Sequence, residues 1–166
     1  MMSKVREFIA YGSCFFCSAF IGNGYSPVFS VMAETRRRKS DLTGTMSFFS
    51  AKLGNDIATG VLVFTFPHYI VYLVAYLASK WGSVAASLTF YFVSNSVCFF
   101  QMLGTFYPAT IEGYWACMVA GLPFLLRNLI GCLSMDIVFA LMRNVEATQK
   151  EKIWMPQRKQ LTFAVA

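Results

Sequence analysis

The sequence predicts an all-α, multi-pass integral membrane protein with about four transmembrane helices. Three observations carry that prediction. Of 166 residues, 57% are hydrophobic and 13% charged, where soluble domains carry about 25% charged residues. The mean hydropathy is +0.53, and a folded domain of this size still leaves about a third of its surface in water. Charge-free runs alternate with short basic segments, the pattern of spans and loops. The same numbers exclude intrinsic disorder. The pI near 9.2 comes from basic residues between apolar runs, so no nucleic-acid partner is expected.

The runs give the expected spans in order: 8–33, 57–79, 83–107 and 113–142. The first three are uncharged through their apolar parts, and the fourth is interrupted by Arg127 and Asp136. A helix needs about 20 residues to cross the hydrocarbon layer, and the runs are too few and too long for a barrel. Together they define a transmembrane domain over 1–142, followed by a polar, basic tail, 143–166. The loop 34–56 holds Arg36, Arg37, Arg38, Lys39 and Lys52. The positive-inside rule puts it on the cytosolic, matrix or stromal side. The second span should then run away from that side and the third should return. Two outcomes stay open for the fourth. A full crossing leaves the tail outside, whereas a turn at Gly121-Leu122-Pro123, where helix geometry is weakest, keeps it beside the basic loop. Counting favours four crossings. The run after Lys4 and Arg6 is too long for a signal-peptide core, so no cleavable signal is expected.

Few polar features carry chemistry. Cys14-Phe15-Phe16-Cys17 has CxxC spacing, but no neighbouring group would activate a thiol, so two small apolar residues in a Phe-rich helix are expected. One His and scattered Cys make no metal ligand set. His68, beside Pro67, is expected to be structural. Gly22-Asn23-Gly24 with Pro27 can kink or unwind a helix, but close helix packing is the expected role. Arg127 and Asp136 are the most informative charges, because ionisable groups at membrane depth are costly. About 13 Å of helix separates them, so they require a helix break, partners on other chains or snorkelling. Tyr69, Tyr72, Tyr76 and Trp81 suit interfacial anchoring. Phosphate loop, nucleophile elbow and His-Glu-x-x-His pair are all missing from the sequence. A non-enzymatic role is expected, with no cofactor beyond structural lipids.

One stretch resembles a known family. Ser47-Phe48-Phe49-Ser50-Ala51-Lys52-Leu53-Gly54-Asn55-Asp56-Ile57, followed by Ile70-Val71-Tyr72, is similar to a span entry in the membrane domain of G-subfamily ABC exporters. Gly12 with Phe15-Phe16, and Glu34 after Phe29, match the preceding span and the start of that family's cytosolic loop. The resemblance covers about residues 12–105. It implies a helical exporter domain for hydrophobic or lipid cargo, with the 34–52 loop facing a separate ATPase chain.

Two functions follow as expectations. The first is a non-catalytic accessory subunit of a large membrane complex, energy-transducing in character, in an organelle inner membrane such as the mitochondrial one or else in the plasma membrane. Its partners would be other membrane subunits and lipids. The second is the membrane portion of an ABC-type exporter. Under the first, the expected subunit or lipid contacts are Arg36, Arg37, Arg38, Lys39, Arg127, Asp136 and Trp154.

Overall fold

The apolar runs become helices, with boundaries that differ from the runs. The computed structural model describes residues 2–16, 25, 27–37, 49, 53 and 62–164, and side chains no further than residue 149. Its helices are α1 (Met2–Phe16), α2 (Val28–Arg37), α3 (Leu62–Ala78), α4 (Ser83–Gln101) and α5 (Ile111–Ala164), with a 3-10 turn at Ser79–Trp81 between α3 and α4. The described residues form no strand, and an isolated bridge joins Leu103 to Tyr107. The fold is all-α.

Among the described residues, two helices are long and apolar enough to cross a membrane: Ser83–Gln101, and α5 over Ile111–Gln149. Four such crossings were expected. Within the run 8–33 the described helices are α1, ending at Phe16, and α2, beginning at Val28, while 17–24 and 26 lie outside the described residues. Pro27 stands immediately before α2, where its fixed φ favours a helix start, and its carbonyl accepts from the Val31 amide at 3.1 Å. The third helix, α3, has 17 residues, about 25 Å of rise against a hydrocarbon layer of about 30 Å.

Side-chain pairing fixes the directions. Residues of α2 and α5 meet in parallel order, Ser30 with Asp136 and Glu34 with Arg143. α3 also runs parallel to α2, since Phe29 stacks on Tyr72 and Arg36 lies over the Tyr76 ring. The turn Ser79–Trp81 then reverses the chain. Gly82, at φ +116°, closes that turn in a conformation that side chains rarely adopt. α4 runs antiparallel to α5, with Ser83 against Asp136, Ser87 against Asn128 and Ser96 against Tyr114.

This geometry changes the expected path. α3 runs toward the Arg36–Arg37 end rather than away from it, and α4 runs away rather than returning. α5 passes through Gly121-Leu122-Pro123 without turning back and still brings Arg143 beside α2. The charged residues Arg6, Glu34, Arg36, Arg37, Lys80, Arg143 and Glu146 therefore gather at one end of the bundle, hereafter the basic end.

The core lies between α2, α3, α4 and α5. Phe29, buried completely, has its ring centroid 5.1 Å from Phe90, and Tyr72 lies 4.6 Å from Phe90. Met32, Val71, Ala75, Ala86, Cys132 and Phe139 complete it. The outside is as apolar as the inside. On α5, Trp115, Val119, Leu122, Leu126, Ile130 and Leu133 are exposed at spacings of three or four, a continuous ridge. On α3, Phe66, Ile70, Leu73 and Leu77 form a second one. Exposed apolar surface on this scale marks contact with lipid or with other proteins.

Candidate functional site on the polar face of α5

One face of α5 carries Asn128, Cys132, Asp136, Arg143 and Glu146 at helical spacing, and each meets another helix. The Asp136 carboxyl accepts from the hydroxyls of Ser30 on α2 and Ser83 on α4, so one side chain joins three helices. Ser87 donates to Asn128 Oδ1 at 3.3 Å, and the Cys132 thiol lies 3.5 Å from the same oxygen. Deeper still, Tyr91 donates to the Met118 carbonyl at 2.5 Å. Buried polar groups must be satisfied where water is excluded, and here they are satisfied across helix boundaries, which fixes the register of α2 and α4 on α5.

At the basic end the ladder becomes ionic. Glu34 is 5% exposed and pairs with Arg143 at 2.6 Å and Arg37 at 3.2 Å. Arg6 pairs with Glu146 at 2.9 Å, which ties α1 to α5. Arg36 sits with its guanidinium carbon 4.7 Å from the Tyr76 ring centroid and donates to the Tyr76 carbonyl at 3.4 Å.

Arg127 behaves differently. It is exposed on the outer face, next to Leu126 and near Ile130 on the apolar ridge. Among the described residues, no acceptor is found for it. Nine positions of α-helix turn the chain by about 900°, half a turn beyond two full turns. Once Asp136 faces inward, Arg127 must face outward. The two charges therefore face opposite ways, and Asp136 takes partners within its own chain rather than on a neighbour.

The other expected contacts distribute as follows. Arg36 and Arg37 lie at the basic end. Arg38 and Lys39 fall outside the described residues, and Trp154 lies on α5 beyond the described side chains. Cys17 and the side chain of Cys14 are likewise outside, while Cys98, Cys117 and Cys132 form no disulfide among the described residues. His68 is half-buried on α3. No group of three His, Cys, Asp or Glu suited to a metal occurs among the described residues. Of the exporter-like string, Phe49 and Leu53 are described, and Phe49 packs edge-on against Tyr72 at 5.8 Å. The sequence reading missed Ser30, Ser83, Ser87, Asn128 and Arg143. Asn128, Asp136, Arg143 and Glu146 are spaced by whole helical turns, and that period was the available signal.

A family model described as a family of unknown function (DUF6580) matches residues 16–153. No curated protein and no solved structure matches the chain.

Proposed function

Since the chain belongs to this family of unknown function, its geometry is the guide, and we propose that it is a non-catalytic, membrane-embedded subunit of a hetero-oligomeric assembly. Arg127 carries the reading. Along α5 it lies about 22 Å from Glu112 and about 24 Å from Arg143, the two charges that bracket the helix's long apolar stretch. That is the middle of a hydrocarbon layer about 30 Å thick. A charge there costs on the order of 2.5–3.5 kcal/mol on insertion scales, and such residues ordinarily face a polar partner. Arg127 faces outward on an apolar ridge, so its acceptor belongs to a neighbouring chain. The ridge supplies the matching seam for that chain's helix.

The polar face of α5 supports the same role. Its groups are spent on holding α1, α2 and α4, as in a scaffold. Small, basic, multi-pass subunits suit energy-transducing complexes of the respiratory, ATP synthase or photosynthetic kind. The proposed setting is an organelle inner membrane such as the mitochondrial one, with the plasma membrane as the alternative and structural lipids as further partners. A second reading, the membrane portion of an exporter driven by a separate ATPase, draws on the clustering of cations at one end, where such a chain would dock. Glu34 is buried beneath Arg37 and Arg143, so any such docking would go through the arginines.

The test is purification in a mild detergent from the native membrane. Wild-type chain should co-migrate with other membrane chains, and an ATPase among them would select the exporter reading. Arg127→Leu should weaken that association by about thirtyfold or more, equivalent to about 2 kcal/mol, and Arg127→Lys should keep part of it. A monodisperse monomer or homodimer of wild type, or a full complement retained by Arg127→Leu, refutes the proposal.

A further inference from the structure

We infer a binding site for a phosphate-type anion in the recess between the C-terminal end of α2 and the turn joining α3 to α4. The recess has a volume of about 340 Å³ and is lined by Arg36, Arg37, Ser79, Lys80, Trp81 and Gly82, with Ala33 at its base. That volume falls within the range of about 300–1,000 Å³ typical of small-ligand sites. Among the described residues that line it, three are cations and none is a carboxylate. The nearest acid on α2, Glu34, is buried and already held by Arg143 and Arg37. With Arg37 spent on Glu34, Arg36 and Lys80 are the lining cations not paired with an acid among the described residues.

Its cations are also held in place. Arg36 rests on the Tyr76 ring and spends one donor on the Tyr76 carbonyl, so most of its five N–H donors are left for a ligand. The Lys80 ammonium sits 3.9 Å from the Trp81 ring centroid. Two aromatic faces thus position two cations from different helices around one opening, which lowers the ordering cost of gripping an anion. The guanidinium fork suits paired phosphate oxygens, and the ammonium adds a point charge.

The surroundings indicate the source of the phosphate. Trp81 is 71% exposed, and Leu77 and Val84 are exposed on the two helices that leave the turn. An exposed Trp beside a Lys, at the end of apolar helix faces, is the arrangement that meets lipid headgroups. An anionic phospholipid would place its phosphate between Arg36 and Lys80 and lay its chains along the outer faces of α3 and α4. Cationic recesses at this kind of membrane face bind such headgroups. The site rests on the membrane-embedded part of the reading above, and it does not depend on a partner chain or on Arg127.

The experiment is native mass spectrometry of the purified chain, supplied in turn with phosphatidylglycerol, phosphatidylcholine and inorganic phosphate. Wild type should retain phosphatidylglycerol over phosphatidylcholine. Lys80→Gln and Arg36→Gln should each lower that retention by about fivefold, and together by about thirtyfold. Lys80 is exposed on a turn, so its variant tests the site even if Arg36→Gln disturbs the α2–α3 contact. Arg127→Leu should leave retention unchanged while losing partner chains, which separates failure of this site from failure of the subunit reading. Competition by millimolar inorganic phosphate would confirm the site and assign it to a soluble phosphate compound. Equal retention of both lipids with no phosphate effect, or retention that ignores both substitutions, overturns it.

Discussion

Asp136 and Arg127 share a helix and meet opposite surroundings, and helical phase alone separates them. Asp136 is clasped by Ser30 and Ser83, and removing its carboxyl would leave two hydroxyls without an acceptor in an apolar interior. Such an unmet group costs about 1–3 kcal/mol. Asp136→Ala should therefore lower unfolding stability in detergent by about 2 kcal/mol. Asp136→Asn, which keeps one acceptor oxygen, should lose about half as much. Denaturant titration followed by circular dichroism measures both, and an unchanged midpoint for Asp136→Ala would discard the three-helix clasp. The importance of both charges was legible in the sequence, because charges are rare within apolar runs. Their separate roles were not, since the serines that fix Asp136 stand 106 and 53 positions away.

At the scale of the element, the glycines of α5 matter for what approaches them. A Cβ added at Gly131 would collide with the Tyr25 carbonyl, and one at Gly121 with the Asn95 side chain, whereas at Gly12 on α1 it would meet nothing within 4 Å. Helix propensity alone favours Gly→Ala by about 1 kcal/mol. Gly12→Ala should accordingly raise the thermal unfolding midpoint, and Gly131→Ala should lower it, because backbone atoms cannot move aside cheaply. Scanning fluorimetry of the two variants checks the opposite signs, and a shared sign would show that the approach of Tyr25 to α5 is looser than described. The same contacts explain why Gly121-Leu122-Pro123 does not end the helix. Pro123 removes a single backbone hydrogen bond, while Gly121 sits against Asn95 on α4 and keeps the segment packed. In the first run, by contrast, Pro27 does mark a boundary, and Gly22-Asn23-Gly24 with Pro27 was the visible hint of it.

For the whole molecule, the direction of α3 settles the arrangement of charge. Because α3 runs parallel to α2, its exit turn brings Lys80 to the end that already holds Arg36 and Arg37, and α5 returns Arg143 and Glu146 to the same place. The sidedness can be tested with single cysteines at exposed loop positions and a membrane-impermeant maleimide. Lys80→Cys should react only after permeabilisation, from the side that the positive-inside rule assigns to the basic end. Thr105→Cys, in the loop between α4 and α5, should react without it. Labelling of both from one side would show that α4 does not cross.

Composition and the lengths of the apolar runs determined the all-α class and the presence of helices long and apolar enough to cross a membrane, at Ser83–Gln101 and Ile111–Gln149. These are local properties, set by what each segment does with its own backbone hydrogen bonds and its own surface. Tertiary structure alone decided which way each helix runs, and that Asp136 is satisfied within the chain while Arg127 is left facing outward. Direction and pairing depend on contacts between residues far apart in sequence. A hydrophobic run reads the same in both directions until a Ser, a Glu or an Arg on another helix fixes it.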